Sequence, residues 1–161
     1  MTARVTVAGA VPAATDIHLL GPPRMERGGE PVDAPRGHKA WGLLAYLLLA
    51  PVPPSRERLA GLLFPEADDP LGTLRWTLSA LRRTLGPEAE LRGDPVRLTL
   101  PPGGLVDVRV LAGGSWMEAI ALPGLGHELL DGLAFRSSPG FEMWLESERR
   151  HIAGTTSAVL H

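Results

Sequence analysis

Two hydrophobic periods alternate along this chain, and the points where one gives way to the other mark its elements. Ile17 to Leu20 is a short apolar run, and Gly21-Pro22-Pro23 turns the chain. Arg24 to Arg27 alternates, Gly28-Gly29 turns the chain again, and Glu30 to Asp33 makes a third extended piece. Closely spaced Gly/Pro turns between short extended pieces predict a small antiparallel sheet. The period then lengthens. Ala40, Leu43, Leu44, Leu47 and Leu48 recur at i, i+3, i+4 and i+7, which predicts a helix from Arg36 to Ala50 with one buried stripe. The run from Pro51 to Pro54 stops it, because proline has no N–H to donate and clashes with the preceding turn. Ser55 is placed to cap a second helix, with Leu59, Leu62 and Leu63 inward and an end near Phe64-Pro65.

A third helix is predicted from Pro70 to Leu85. Asp69 is a good N-cap, Pro70 takes the first helical position where a missing N–H costs nothing, and Gly86-Pro87 ends the run. Beyond it, Gly93-Asp94-Pro95 is a turn, and Val96, Leu98 and Leu100 alternate with Arg97 and Thr99, so residues 90–100 predict a β-hairpin. Pro101-Pro102-Gly103-Gly104 breaks the chain and is the expected domain boundary. The remainder predicts helices. Ser115 and Glu118 form a capping box for a short helix from Trp116 to Leu122. Ser138-Pro139 opens a longer helix with Phe141, Trp144, Leu145 and Ile152 on its apolar side. The fold class is therefore α+β: a small N-terminal antiparallel sheet, three helices and a C-terminal hairpin over residues 16–103, then an all-α segment over 104–161, with residues 1–15 expected as a frayed leader.

Composition narrows the chemistry. Apolar residues make up 44% of the 161, enough to bury a core, and the absence of cysteine excludes disulfides, thiolate metal sites and a Cys nucleophile. The longest apolar stretch, Leu43 to Ala50, is too short to span a bilayer, so a cytoplasmic protein with no membrane partner is expected. No Gly-rich phosphate loop or GxSxG is present, and His18, His38, His127, His151 and His161 are scattered without paired ligand spacing. Glu142, Glu146 and Glu148 have the pattern of a solvated helix face. No catalytic residue, no metal ligand and no cofactor is expected.

The net charge of −2 does not advertise a polyanion partner, but its distribution is uneven. Residues 1–103 hold 12 cations against 11 acids, and residues 104–161 hold 4 against 7. Arg75, Arg82, Arg83, Arg92 and Arg97 fall within one short span. On a wheel at ~100° per residue, Leu74, Leu78, Leu81 and Leu85 form the inward stripe of the third helix. Gly72, Trp76, Ser79, Ala80 and Arg83 lie opposite, Thr73 and Arg75 flank them, and Thr77 and Arg82 border the stripe. No acid occurs between Pro70 and Gly86. An acid-free face with arginines, small residues and one indole suits the edges and phosphates of a duplex: Arg forks onto guanine or neutralises phosphate, and small residues allow close approach. A hairpin directly after this helix, with Arg92 at its turn, could bring a cation to the adjacent minor groove.

The order sheet, three helices, hairpin resembles the OmpR/PhoB-type winged helix-turn-helix. Within that group the segments Leu19–Val32, Lys39–Leu49, Ser55–Asp68, Leu74–Gly86 and Ser137–Arg150 resemble the Streptomyces antibiotic regulatory protein family, in which such a domain precedes a bacterial transcriptional activation domain. That resemblance implies a DNA-binding transcriptional activator. It implies Trp76 and Ala80 facing base edges, Thr73, Thr77, Ser79, Arg82 and Arg83 on bases or phosphates, and Arg92 in the minor groove. Together with Arg75 and Arg97, these are the expected promoter-DNA contacts. It also implies that the acidic loop carrying Glu66, Asp68 and Asp69 meets RNA polymerase, and that two copies bind head to tail on direct repeats. The activation domain would be a tetratricopeptide-like array, which this chain would leave at an early helix; the chain is expected to be either a fragment or a reduced protein whose apolar side of Trp144, Ile152, Val159 and Leu160 needs a partner. Ala80 and Gly72 depart from the pattern, since many relatives carry Arg at both. A contrasting expectation is a degenerate winged helix that binds protein. A DNA reader requires Arg75, Arg83 and Arg92 exposed and free of acids on one surface; a protein module requires Trp76 in an apolar patch with those arginines paired.

Overall fold

A computed structural model describes residues 14–161, so the leader expected over 1–15 lies outside the described residues except at its end, where Thr15 already starts a strand. The described chain is a mixture of helices and two small antiparallel sheets. β1 (Thr15–His18), β2 (Arg24–Arg27) and β3 (Glu30–Pro31) form the first sheet in sequential order. Ile17 pairs with Met25, and both point into the core. The third piece is shorter than the sequence pattern suggests, because pairing with β2 reaches only from Glu30 to Pro31.

The helices α1 (His38–Leu49), α2 (Arg56–Leu63) and α3 (Pro70–Leu85) follow. Their ends are set locally. The Ser55 side chain accepts from the Arg58 amide, the Asp69 carboxylate accepts from the Gly72 amide at 3.0 Å, and Gly86 closes α3 with φ 89°, a conformation that favours glycine. The second sheet, β4 (Glu90–Arg92) with β5 (Arg97–Thr99), is the expected hairpin.

α1 departs from its stripe. Every residue from Ala40 to Leu48 is buried, as happens when a helix is covered on all sides. The second cover comes from the C-terminal segment: α4 (Asp107–Gly113), α5 (Trp116–Ile120) and α6 (Pro139–Leu160). Phe135 and Phe141, both fully buried with ring centroids 4.6 Å apart, sit over Gly42 of α1, where a Cβ would stand only 2.8 and 2.9 Å from the two rings. A single apolar cluster runs from Ile17 through the helices and hairpin to Val108, Leu111 and Ile152, so the core is continuous across Pro101–Gly104.

Backbone bonds reinforce that continuity. The Ile17 amide donates to the Leu105 carbonyl at 2.7 Å. Asp107, 1% exposed, accepts from the Leu19 and Leu20 amides, both at 2.9 Å. Ser138 caps α6 by position only; its hydroxyl instead donates to the Leu63 carbonyl at 2.7 Å, satisfying the end of α2. The apolar side of α6 is mostly covered within the chain, contrary to the expectation of an open side. Ile152 is buried and Trp144 packs on Tyr46 at 4.8 Å, while Leu160, 56% exposed, and Met143, 74% exposed, remain open. The short helix stops at Ile120 rather than Leu122, and α4 was not expected at all.

Candidate nucleic-acid interface

α3 buries Leu74, Leu78, Leu81 and Leu85, the stripe read from the wheel. The opposite face is therefore turned outward, and Trp76 on it is 75% exposed. An indole buries roughly 150–250 Å² when covered, so leaving most of it in water forgoes on the order of 3 kcal/mol at ~25 cal/mol/Å². Arg75 and Arg83 are exposed beside it, and neither makes a salt bridge or side-chain hydrogen bond among the described residues. Ser79 and Ala80 are half-buried between them.

Other expected contact residues are already engaged. The Thr77 hydroxyl donates to the Thr73 carbonyl at 2.9 Å, one turn back, so it presents its methyl rather than a free donor. Arg82 donates from Nε to the Leu91 carbonyl at 2.8 Å and ties α3 to β4, fixing the angle between helix and hairpin. Gly72 has a local reason to lack a side chain, since a Cβ there would meet the Asp69 carboxylate that caps the helix.

The hairpin corrects the sequence reading at Arg92. Its guanidinium contacts the Glu90 carboxylate at 3.0 Å, with side chains 78% and 56% exposed. The two residues stand i, i+2 on one strand and so share a face. A surface pair of this kind is weak and gives way readily to a stronger anion. Arg97 lies directly across from Arg92, and like charges in that position repel unless an anion joins them. The turn is anchored rather than free: the Arg56 amide donates to the Asp94 carboxylate at 3.0 Å, Arg56 Nε donates to the Gly93 carbonyl at 2.9 Å, and the Val96 amide donates to Pro54.

The structure adds residues the sequence reading passed over. A cleft of about 670 Å³ separates the Trp76, Ala80 and Arg83 side of α3 from the segment 32–40. Arg27, Arg36 and Lys39 line it beside Arg83, with Asp33 the acid among its walls. The cluster Arg36-Gly37-His38-Lys39 was visible in the sequence as a basic run across the start of α1. His38 also enters this wall; its ring packs on Phe135 at 5.0 Å, and desolvation, followed by the charge of Lys39, holds its pKa below the usual histidine value. Arg27 supports the same surface by donating to the Thr84 carbonyl at 2.9 Å and to Leu85, the last turn of α3, where a cation also meets the negative end of the helix. In the acidic loop, Glu66 and Asp68 are exposed, while Asp69 is committed to its cap.

An outward helix, a hairpin tied to its side and a small three-stranded sheet make an α+β arrangement of winged-helix-like kind. The fold is shared with EmbR. The structure of Mycobacterium tuberculosis EmbR in complex with a low-affinity phosphopeptide matches with a TM-score of 0.62 and 21% identity, over 91% of this chain and 45% of that one. The chain thus spans less than half the length of the EmbR chain. With 91% of this chain covered, the match takes in most of both the N-terminal part, residues 16–103, and residues 104–161. No protein-family model and no curated sequence matches the chain. Among the described residues no helix is long and apolar enough to cross a membrane.

Proposed function

We propose that this chain is a DNA-binding transcriptional regulator of the Streptomyces antibiotic regulatory protein type, with α3 in the major groove and the β4–β5 hairpin at the neighbouring minor groove. The observation that carries the reading is the exposed Trp76 on an acid-free helix face, flanked by the unpaired Arg75 and Arg83. A helix face without acids gains nothing from a solvated existence that a Glu/Lys face would not supply better, and it is well matched to phosphates and base edges. Arg92 and Arg97 supply the second cationic point. Residues 104–161 act as an activation segment, Glu66 and Asp68 as a polymerase-facing loop, and two copies sit head to tail on direct repeats.

The test is a fluorescence-anisotropy titration of the full chain against duplexes selected from a random pool, in rising salt. Four phosphate contacts, by Arg75, Arg83, Arg92 and Arg97, give a log–log slope near −3.6, which is about a 150-fold loss of affinity between 50 and 200 mM salt. Arg83→Ala should reduce the slope by about 0.9 without changing stability. Affinity that does not respond to salt refutes the reading. A protein-binding module is the second reading, favoured by the cleft beside Trp76 and by the Glu90–Arg92 pair. It predicts no selected duplex and a partner whose capture is lost in Trp76→Ala.

A further inference from the structure

The face of the β1–β2 ribbon turned away from Ile17 and Met25 carries a cluster that DNA binding does not use. Antiparallel pairing sets Asp16 opposite Glu26 and His18 opposite Arg24. Residues two apart on a strand share a face, so all four side chains stand on one side of the ribbon. Two carboxylates directly opposite each other repel, and a cation between them relieves the repulsion. One candidate ligand atom from each of Asp16, His18 and Glu26 lies within 4.8 Å of the others.

The histidine points to what that cation is. His18 is 5% exposed, and its Nε2 has no hydrogen-bond partner among the described residues. Glu26 Oε1 is 3.4 Å from that nitrogen without hydrogen-bond geometry. Either a proton or a metal ion can join the two: with the proton on Nδ1, the Nε2 lone pair faces the carboxylate and the pair is repulsive unless a cation bridges it. The carboxylates are meanwhile oriented from outside. Asp16 Oδ1 accepts from the Leu105 amide at 2.8 Å, and Glu26 Oε2 accepts from Arg24 at 2.6 Å, so each keeps a second oxygen. Outer hydrogen bonds of this kind hold ligating carboxylates in place.

We propose that Asp16, His18 and Glu26 bind a divalent ion of the zinc class, through one imidazole nitrogen and two carboxylate oxygens. The two carboxylates supply the negative charge, which Arg24 on Glu26 Oε2 offsets by one unit, and the nitrogen ligand selects Zn²⁺, Co²⁺ or Ni²⁺ over Mg²⁺ or Ca²⁺. Ligands at ~2.0–2.2 Å from zinc stand roughly 3.3 Å apart; His18 Nε2 and Glu26 Oε1, 3.4 Å apart, already have that spacing, and Asp16 lies within 4.8 Å of both. Because the Asp16 carboxylate already holds Leu105, the ion fastens the N-terminal ribbon to the start of the C-terminal segment and stabilises the fold by mass action.

The full chain, treated with a chelator and dialysed, is titrated with ZnCl₂ by calorimetry and with CoCl₂ by visible absorption, and its thermal unfolding is followed with and without Zn²⁺. One ion per chain is expected, with a rise in Tm. His18→Gln and Glu26→Gln should each weaken binding at least about tenfold, the loss that outer-sphere changes alone produce, and should abolish the rise. His151→Gln should leave both unchanged. Should His18→Gln fail to fold, Glu26→Gln and Asp16→Asn, at half-buried positions, carry the test. Binding of equal strength in those variants, or no binding and no change in Tm in the wild type, overturns the proposal and leaves a proton-bridged His18–Glu26 pair.

Discussion

Replacing Asp107 by alanine removes the acceptor that joins β1 to α4. Its carboxylate takes the amides of Leu19 and Leu20 at 2.9 Å and of Val108 at 2.7 Å, all from residues buried in the core. Water cannot replace it, because Leu19 is 0% and Leu20 4% exposed. A buried donor left without a partner costs about 1–3 kcal/mol, so the two long-range amides alone give about 2–6 kcal/mol. Removing a buried carboxylate also relieves its own desolvation, which shifts the expected net loss to the lower half of that range, about 2–4 kcal/mol. That is a large part of the ~5–15 kcal/mol available to a protein of ordinary stability. Asp107→Asn keeps one acceptor oxygen and should lose less. Urea unfolding followed by tryptophan fluorescence gives the free energies, and hydrogen exchange should show Leu19 and Leu20 losing protection. A loss below about 0.5 kcal/mol, the scatter expected of an uninvolved surface position, refutes the reasoning.

Gly42→Ala gains about 1 kcal/mol of helix propensity but pushes a methyl into the Phe135 and Phe141 rings, at an overpacking cost of about 1–3 kcal/mol; chemical denaturation should show net destabilisation, and a stabilised variant would sink this account of the α1–aromatic contact. Glu90→Gln releases Arg92 from its surface partner, so on the proposed function anisotropy should show tighter DNA binding at low salt and little difference at high salt. His38 favours its neutral form in the folded state, so the unfolded chain binds the proton more readily; stability should decline as pH falls through the ordinary histidine value towards the lower folded one, and His38→Gln should flatten that decline in pH-dependent thermal unfolding.

What could be read from the sequence was what is decided locally. α3 announces itself through Asp69, Pro70, the leucine stripe and Gly86, all within one stretch, and the structure keeps each of these roles. The outward position of Trp76 follows from the same wheel. α4 could not be read, because it is 7 residues long, its N-cap Val106 offers no side-chain acceptor, and its key carboxylate serves amides on a distant strand. The burial of the whole of α1 was hidden for a related reason: the rings that cover it arrive from Phe135 and Phe141, far along the chain. At the candidate site, Arg82 and Arg83 look equivalent in sequence, and only the position of the Leu91 carbonyl separates a strut from a free cation. The Asp16, His18 and Glu26 cluster depends on strand register, which linear ligand spacing does not capture.

The shared core has a consequence for anyone who would transplant residues 16–103 onto another protein. A cut after Gly103 would strip Val106, Val108, Leu111, Phe135 and Phe141 from α1 and β1, and would turn a helix built for an interior into an oily flank. Such a piece would clump or unfold before it ever met a target. A hybrid made from this protein has to carry residues 104–161 along as part of the scaffold.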